Sequence, residues 1–198
     1  EYRSKAAALV KGIGLMEAGT SILAYIVVLL LASWAARVLV KDPVAVLLIP
    51  FYGLMLLFNL VYETSSGVLQ TLKRFDRMAL INTIQSGLTA ALIFLAFVLK
   101  GIVFSILAAY LAGKGFAGIA ITFMAFRQLN QALGHGWWRA SLKQVKDWRA
   151  IWGFAVNTNL NGTVTLLTRD NAPLYLAYLS PANVAQSYVG YLKLGLSI

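Results

Sequence analysis

Polar side chains recur at helical spacing inside the apolar runs of this chain, and they are the groups able to bind something there. Asn82, Gln85, Ser86 and Thr89 follow i, i+3, i+4 and i+7, which puts them on one face of a helix. Asn157, Asn161, Thr165 and Arg169 recur every four residues, a stripe that winds slowly around its helix. Asn59, Tyr62, Glu63, Ser66 and Gln70 follow the same pattern. In lipid such residues are costly and face protein or water. Two readings are open: helix–helix packing through interhelical hydrogen bonds, or a water-filled cavity shared by the stripes. Two of the three stripes reach a charge, which favours the cavity.

The charges inside the runs have their own pairs of readings. Arg169 and Asp170 are sequence neighbours and point roughly 100° apart on a helix, so they need not neutralise each other. Arg169 suits an anionic substrate group, with Asp170 taking a proton or orienting the arginine; alternatively both cap the outer end of a span in interfacial water. Lys114 lies between Gly113 and Gly115 near the middle of a run, where its stem either snorkels or carries the ammonium into the cavity. Glu17 and Glu63 fall near the ends of runs, where solvation is easy.

Nothing here is arranged for catalysis. The single His135 sits in Gly134-His-Gly136 with no second His or Cys to share a metal, and the chain has no cysteine at all. No glycine loop followed by Lys is present to cradle a nucleotide phosphate. The expectation is a protein without enzymatic activity, cofactor or metal. Asn161-Gly-Thr163 matches a glycosylation triplet but lies inside an expected span.

The elements that position these groups are membrane spans. Of 198 residues, 60% are hydrophobic and only 12% charged, with a mean hydropathy of +0.74; a soluble domain is about half apolar and about one quarter charged. The expected fold is all-α, a polytopic transmembrane bundle of about six spans. The first holds 19 uncharged residues between Glu17 and Arg37, about 28 Å of helix and enough to cross the hydrocarbon. Asp42-Pro43 turns into the second, from Val44 to Tyr62, which continues into the polar stretch 63–70. Met78 to Leu99 form the third, closed by Lys100-Gly101, and Ile102 to Phe126 the fourth, a single span with a glycine-loosened middle or, as the alternative, a re-entrant pair of half-helices. A fifth runs from near Ile151 to about Tyr178, Ser180-Pro181 breaks it, and a sixth starts near Ala182.

Residues 127–150 differ in character. They contain Arg127, Arg139, Lys143, Lys146 and Arg149, and four of the five Trp fall within 137–152. That mixture belongs at the headgroup level and marks an inter-lobe linker between 1–126 and 151–198. If spans alternate, segments 1–14, 69–77 and 127–150 share one side and hold 11 of the 17 Lys and Arg. The other side holds four, so the basic side is expected in the cytoplasm. The net charge of +10 is explained by this bias, without nucleic acid. The start at Glu1 and the stop inside an apolar run read as an internal piece of a longer protein.

One connection is more specific. Gly67-Val-Leu-Gln-Thr-Leu-Lys-Arg-Phe-Asp-Arg-Met-Ala79 resembles the segment after the fourth helix in oligosaccharide and polysaccharide flippases of the multidrug/oligosaccharidyl-lipid/polysaccharide exporter superfamily. Trp152-Gly-Phe154, then Asn157, Asp170, Val184, Tyr188 and Tyr191 look like the start of that family's second lobe. The resemblance implies twelve or more helices in two lobes, of which this chain would hold the third to the eighth. It implies movement of a lipid diphosphate-linked oligosaccharide from the inner to the outer leaflet by alternating access, in a bacterial inner membrane. The coupling ion would be H+ or Na+, unless removal of the substrate outside drives the cycle. A cationic cavity suits the diphosphate and makes Arg169 the candidate for it. Asp170 matches an acidic position of the family, whereas an arginine before it is not typical. The remaining alternatives are a multidrug exporter of the same superfamily, part of a membrane-embedded glycosyltransferase or polymerase, and a non-transporting scaffold.

Overall fold

A computed structural model describes residues 2–145, 147–149 and 151–153. All regular structure among them is helical. The chain divides into two units, one of Glu1–Ala36 with Asp42–Val145 and one of Arg37–Lys41 with Lys146–Ile198. In the second, the described residues include a helical turn in which Ile151 N–H donates to Asp147 O at 3.2 Å. The expected fifth and sixth spans lie outside the described residues, apart from the start of the fifth.

The first unit carries the rest of the fold. Helix α1 runs Tyr2–Ala35 and its 34 residues extend about 51 Å, well beyond the roughly 30 Å of a hydrocarbon core. The basic residues Arg3, Lys5 and Lys11 therefore lie on the opening turns of α1 itself. At Asp42-Pro43 the expected turn forms: Asp42 Oδ1 accepts the Val44 N–H at 2.9 Å, and Asp42 O accepts the Ala45 N–H at 3.1 Å.

The second span is in pieces: α2 (Ala45–Gly53), α3 (Met55–Phe58) and α4 (Tyr62–Thr71). Pro50 inside α2 has no N–H to give, which weakens that turn. A larger interruption falls at Asn59–Val61. Asn59 Nδ2 donates to Met55 O at 2.8 Å, beside the Asn59 backbone N–H at 3.1 Å on the same oxygen. A short amide side chain competing for backbone acceptors is a known helix breaker. The continuous helix expected through Tyr62 is thus replaced by a break with its own side-chain chemistry.

Helix α5 (Phe75–Val98) and helix α6 (Val103–Leu133) complete the bundle. Both connections around α5 end the preceding helix in the same way. Between α4 and α5, Arg74 N–H reaches Leu69 O at 2.8 Å and Lys73 N–H reaches Gln70 O at 2.9 Å, with Lys73 left-handed at φ 56°. Between α5 and α6, Gly101 N–H reaches Ala96 O at 2.7 Å and Lys100 N–H reaches Phe97 O at 3.0 Å, with Lys100 at φ 52°. These paired bonds are Schellman motifs. Helix α6 passes unbroken through Gly113-Lys-Gly115 and continues past Phe126 to Leu133, where Gly134 at φ 94° stops it.

Among the described residues, four helical stretches are long and apolar enough to cross a membrane: α1, the run from Ala45 to Thr71, α5 and α6. Their packing is centred on α6, whose Ala109, Gly113, Ala117, Ile121, Ala125 and Leu129 are buried at intervals of four. Val68 and Leu69 of α4 and Ile81 of α5 close on the Ala117–Leu129 part of that stripe. Apolar side chains gain little from one another in lipid, so small residues that let backbones approach supply the van der Waals contact instead. Large apolar side chains such as Leu30, Phe94, Phe97 and Phe123 point outward, as lipid-facing positions do.

Candidate functional site

The break in the second span organises the polar residues around it. Helix α4 starts with Val61 at its N-cap, a residue with no oxygen to offer the first N–H groups. Glu17, half-buried on α1, supplies it instead: Oε1 accepts the Glu63 N–H at 2.7 Å and Oε2 the Thr64 N–H at 2.8 Å. A carboxylate at a helix N-terminus gains from the helix dipole as well as from charge-assisted bonds. The Glu63 side chain stays exposed. Glu17 therefore caps a second helix, beyond the easy solvation expected of a span end.

Helix α6 lies against the break. A Cβ at Gly118 would overlap Phe58 O and stand 2.6 Å from Asn59 Oδ1, so only glycine admits this approach. One and a half turns earlier, a Cβ at Gly113 would overlap Thr89 Oγ1 and stand 3.1 Å from Thr89 Cβ. Thr89 is buried, donates to Gln85 O at 2.8 Å and accepts from Gln85 Nε2 at 3.2 Å.

The stripes seen in the sequence are thereby divided. Asn59, Gln85 and Thr89 are brought to the Gly113–Gly118 seam of α6. Asn82, Ser86 and Lys114 are exposed, and Lys114 projects away from the face on which Gly113 and Gly115 are buried. Asn157, Asn161, Thr165, Arg169 and Asp170 lie outside the described residues. Among the described residues no three His, Cys, Asp or Glu gather as metal ligands.

A second feature had no warning in the sequence. A cleft of about 310 Å³ opens between α1, α4, α6 and the turn at Trp137–Trp138. Phe126 stacks on Trp138 with centroids 5.4 Å apart and tilts against Trp137 at 5.6 Å. Lys11 of α1 crosses to this turn and donates to Ala140 O at 3.1 Å. The Trp-rich composition was visible, but its docking against α1 depends on contacts far apart in the chain. No protein family, curated protein or solved structure matches the chain.

Proposed function

We propose that this chain is part of a membrane transporter that flips a lipid diphosphate-linked oligosaccharide from the inner to the outer leaflet of a bacterial inner membrane, for cell-surface polysaccharide synthesis. The observation that carries this reading is the interruption at Asn59–Val61 inside the second membrane-length run. Non-helical backbone at membrane depth is tolerated where it is buried in protein or lines a water-filled cavity. In secondary transporters, discontinuous helices of this kind form the substrate and ion sites between two rocking lobes. The resemblance of residues 67–79 to polysaccharide flippases supports the same reading from sequence.

On this reading Arg169 holds the diphosphate and Asp170 orients it or carries a coupling proton. Asn157, Asn161 and Thr165, at four-residue spacing before Arg169, extend the polar path, while the polyprenyl tail stays in lipid. The test is translocation of a fluorescent lipid-linked oligosaccharide by the full-length protein in vesicles. Arg169→Ala is expected to abolish flipping and Arg169→Lys to retain part of it. Normal flipping by the alanine variant at equal protein content would remove Arg169 from the mechanism.

A further inference from the structure

We propose that the cleft beneath Trp137 and Trp138 binds one anionic phospholipid, its acyl chain in the cleft and its phosphate at Lys11. Three independent features of the cleft specify the two parts of that ligand.

The lining is almost wholly apolar, with Val10, Leu15, Val61, Val68 and Leu129 closed on one side by the aromatic turn. A soluble phosphate compound would leave this surface wet, whereas a hydrocarbon chain covers it. The volume of about 310 Å³ is at the small end of ligand sites and suits a section of chain rather than a whole lipid.

Lys11 lines the same cleft. Its ammonium uses one N–H on Ala140 O and has two left to donate. No carboxylate among the described residues pairs with it. A zwitterionic headgroup brings its own cation beside the phosphate, whereas an anionic headgroup leaves its phosphate charge for Lys11.

Two further polar atoms of the lining are buried without a partner, the Thr64 hydroxyl and the Trp137 indole N–H. Buried donors of this kind are rare in native proteins and call for an acceptor. Both groups lie closed off beneath the surface of the cleft, so a phosphate or ester oxygen reaches them with a small shift of the aromatic turn. The setting agrees, because Arg139 and Lys143 flank the aromatic turn and Trp anchors at the headgroup level. Basic pockets between spans on the cytoplasmic side are where anionic headgroups are held.

The proposal shares only Val61 with the transport reading, since neither Asn59 nor Arg169 enters it. Its test is native mass spectrometry of the purified full-length protein, titrated with phosphatidylglycerol or with phosphatidylcholine of the same chains. One phosphatidylglycerol is expected to bind in preference to phosphatidylcholine. Lys11→Gln should weaken it about fivefold, the effect of one interfacial cation, and Lys100→Gln at the opposite end of the bundle should not. Trp137→Phe keeps an aromatic ring, though a smaller one, and removes the N–H, so weaker binding there supports the site without reliance on the lysine variant. Equal retention of the two lipids, or unchanged affinity in both Lys11→Gln and Trp137→Phe, would overturn the proposal. So would the absence of any bound lipid in the unaltered protein.

Discussion

Glu17 and Thr64 are 47 residues apart, yet the Glu17 carboxylate holds the Thr64 backbone N–H at 2.8 Å. Helix α4 begins where it does because a side chain from α1 completes its first turn. The contact joins the first and second spans at the point where the second is broken, and tertiary structure here substitutes for a missing local signal.

That substitution can be exchanged back. Loss of an N-cap costs about 1 kcal/mol, so Glu17→Ala should lower the thermal midpoint in detergent by a few degrees. Glu17→Gln should fall between, because an amide oxygen accepts only part of what a carboxylate does. Adding Val61→Asp to the alanine variant places an acceptor at the local N-cap and should recover most of the loss. A double variant no more stable than Glu17→Ala would show that Glu17 acts through something other than the cap.

Gly113 and Gly118 of α6 should respond differently to relief. Gly118→Ala drives a methyl into the Phe58 carbonyl, a backbone group that cannot rotate away. Overpacking of this kind costs roughly 1–3 kcal/mol, and removing the neighbouring amide with Asn59→Ala should not restore it. Gly113→Ala meets the Thr89 hydroxyl instead, so Thr89→Ala should recover part of its loss. Melting curves of the four variants are the measurement. Equal rescue at both sites would contradict the geometry of the seam.

Orientation in the membrane is open to labelling because the chain has no native cysteine. Arg74→Cys at the α4–α5 turn is expected to react from the cytoplasmic side, and Ile102→Cys at the α5–α6 turn from the other. An impermeant maleimide applied to intact cells and to inverted vesicles distinguishes the two. Labelling of position 74 from outside the cell would reverse the assignment.

Much of the scaffold was legible because membrane spans are long and their signal is simple. Asp42-Pro43, Lys100-Gly101 and the uncharged run before Leu99 marked real turns and a real helix. The polar stripes were less informative, because spacing assigns residues to one face without saying what that face meets. Gln85 and Thr89 turned inward onto a glycine while Asn82, three residues earlier, stayed exposed. The partnership of Glu17 with α4 and the docking of Trp137 beside Lys11 were hidden for a related reason. Each joins residues remote in sequence, and neither involves a repeated pattern.

The turn between α4 and α5 carries one more implication. Its left-handed residue is Lys73, at a position where glycine would be unstrained and a residue with a Cβ is less comfortable by roughly 1–2 kcal/mol. A helical hairpin enters the bilayer before its distant contacts exist, and cations beside the spans are what direct it at that moment. If this turn faces the cytoplasm, the charge of Lys73 adds to the basic bias that orients the hairpin while its left-handed backbone carries the strain. Lys73→Gly should give a hairpin that is more relaxed once folded and less faithfully oriented while the chain is being inserted.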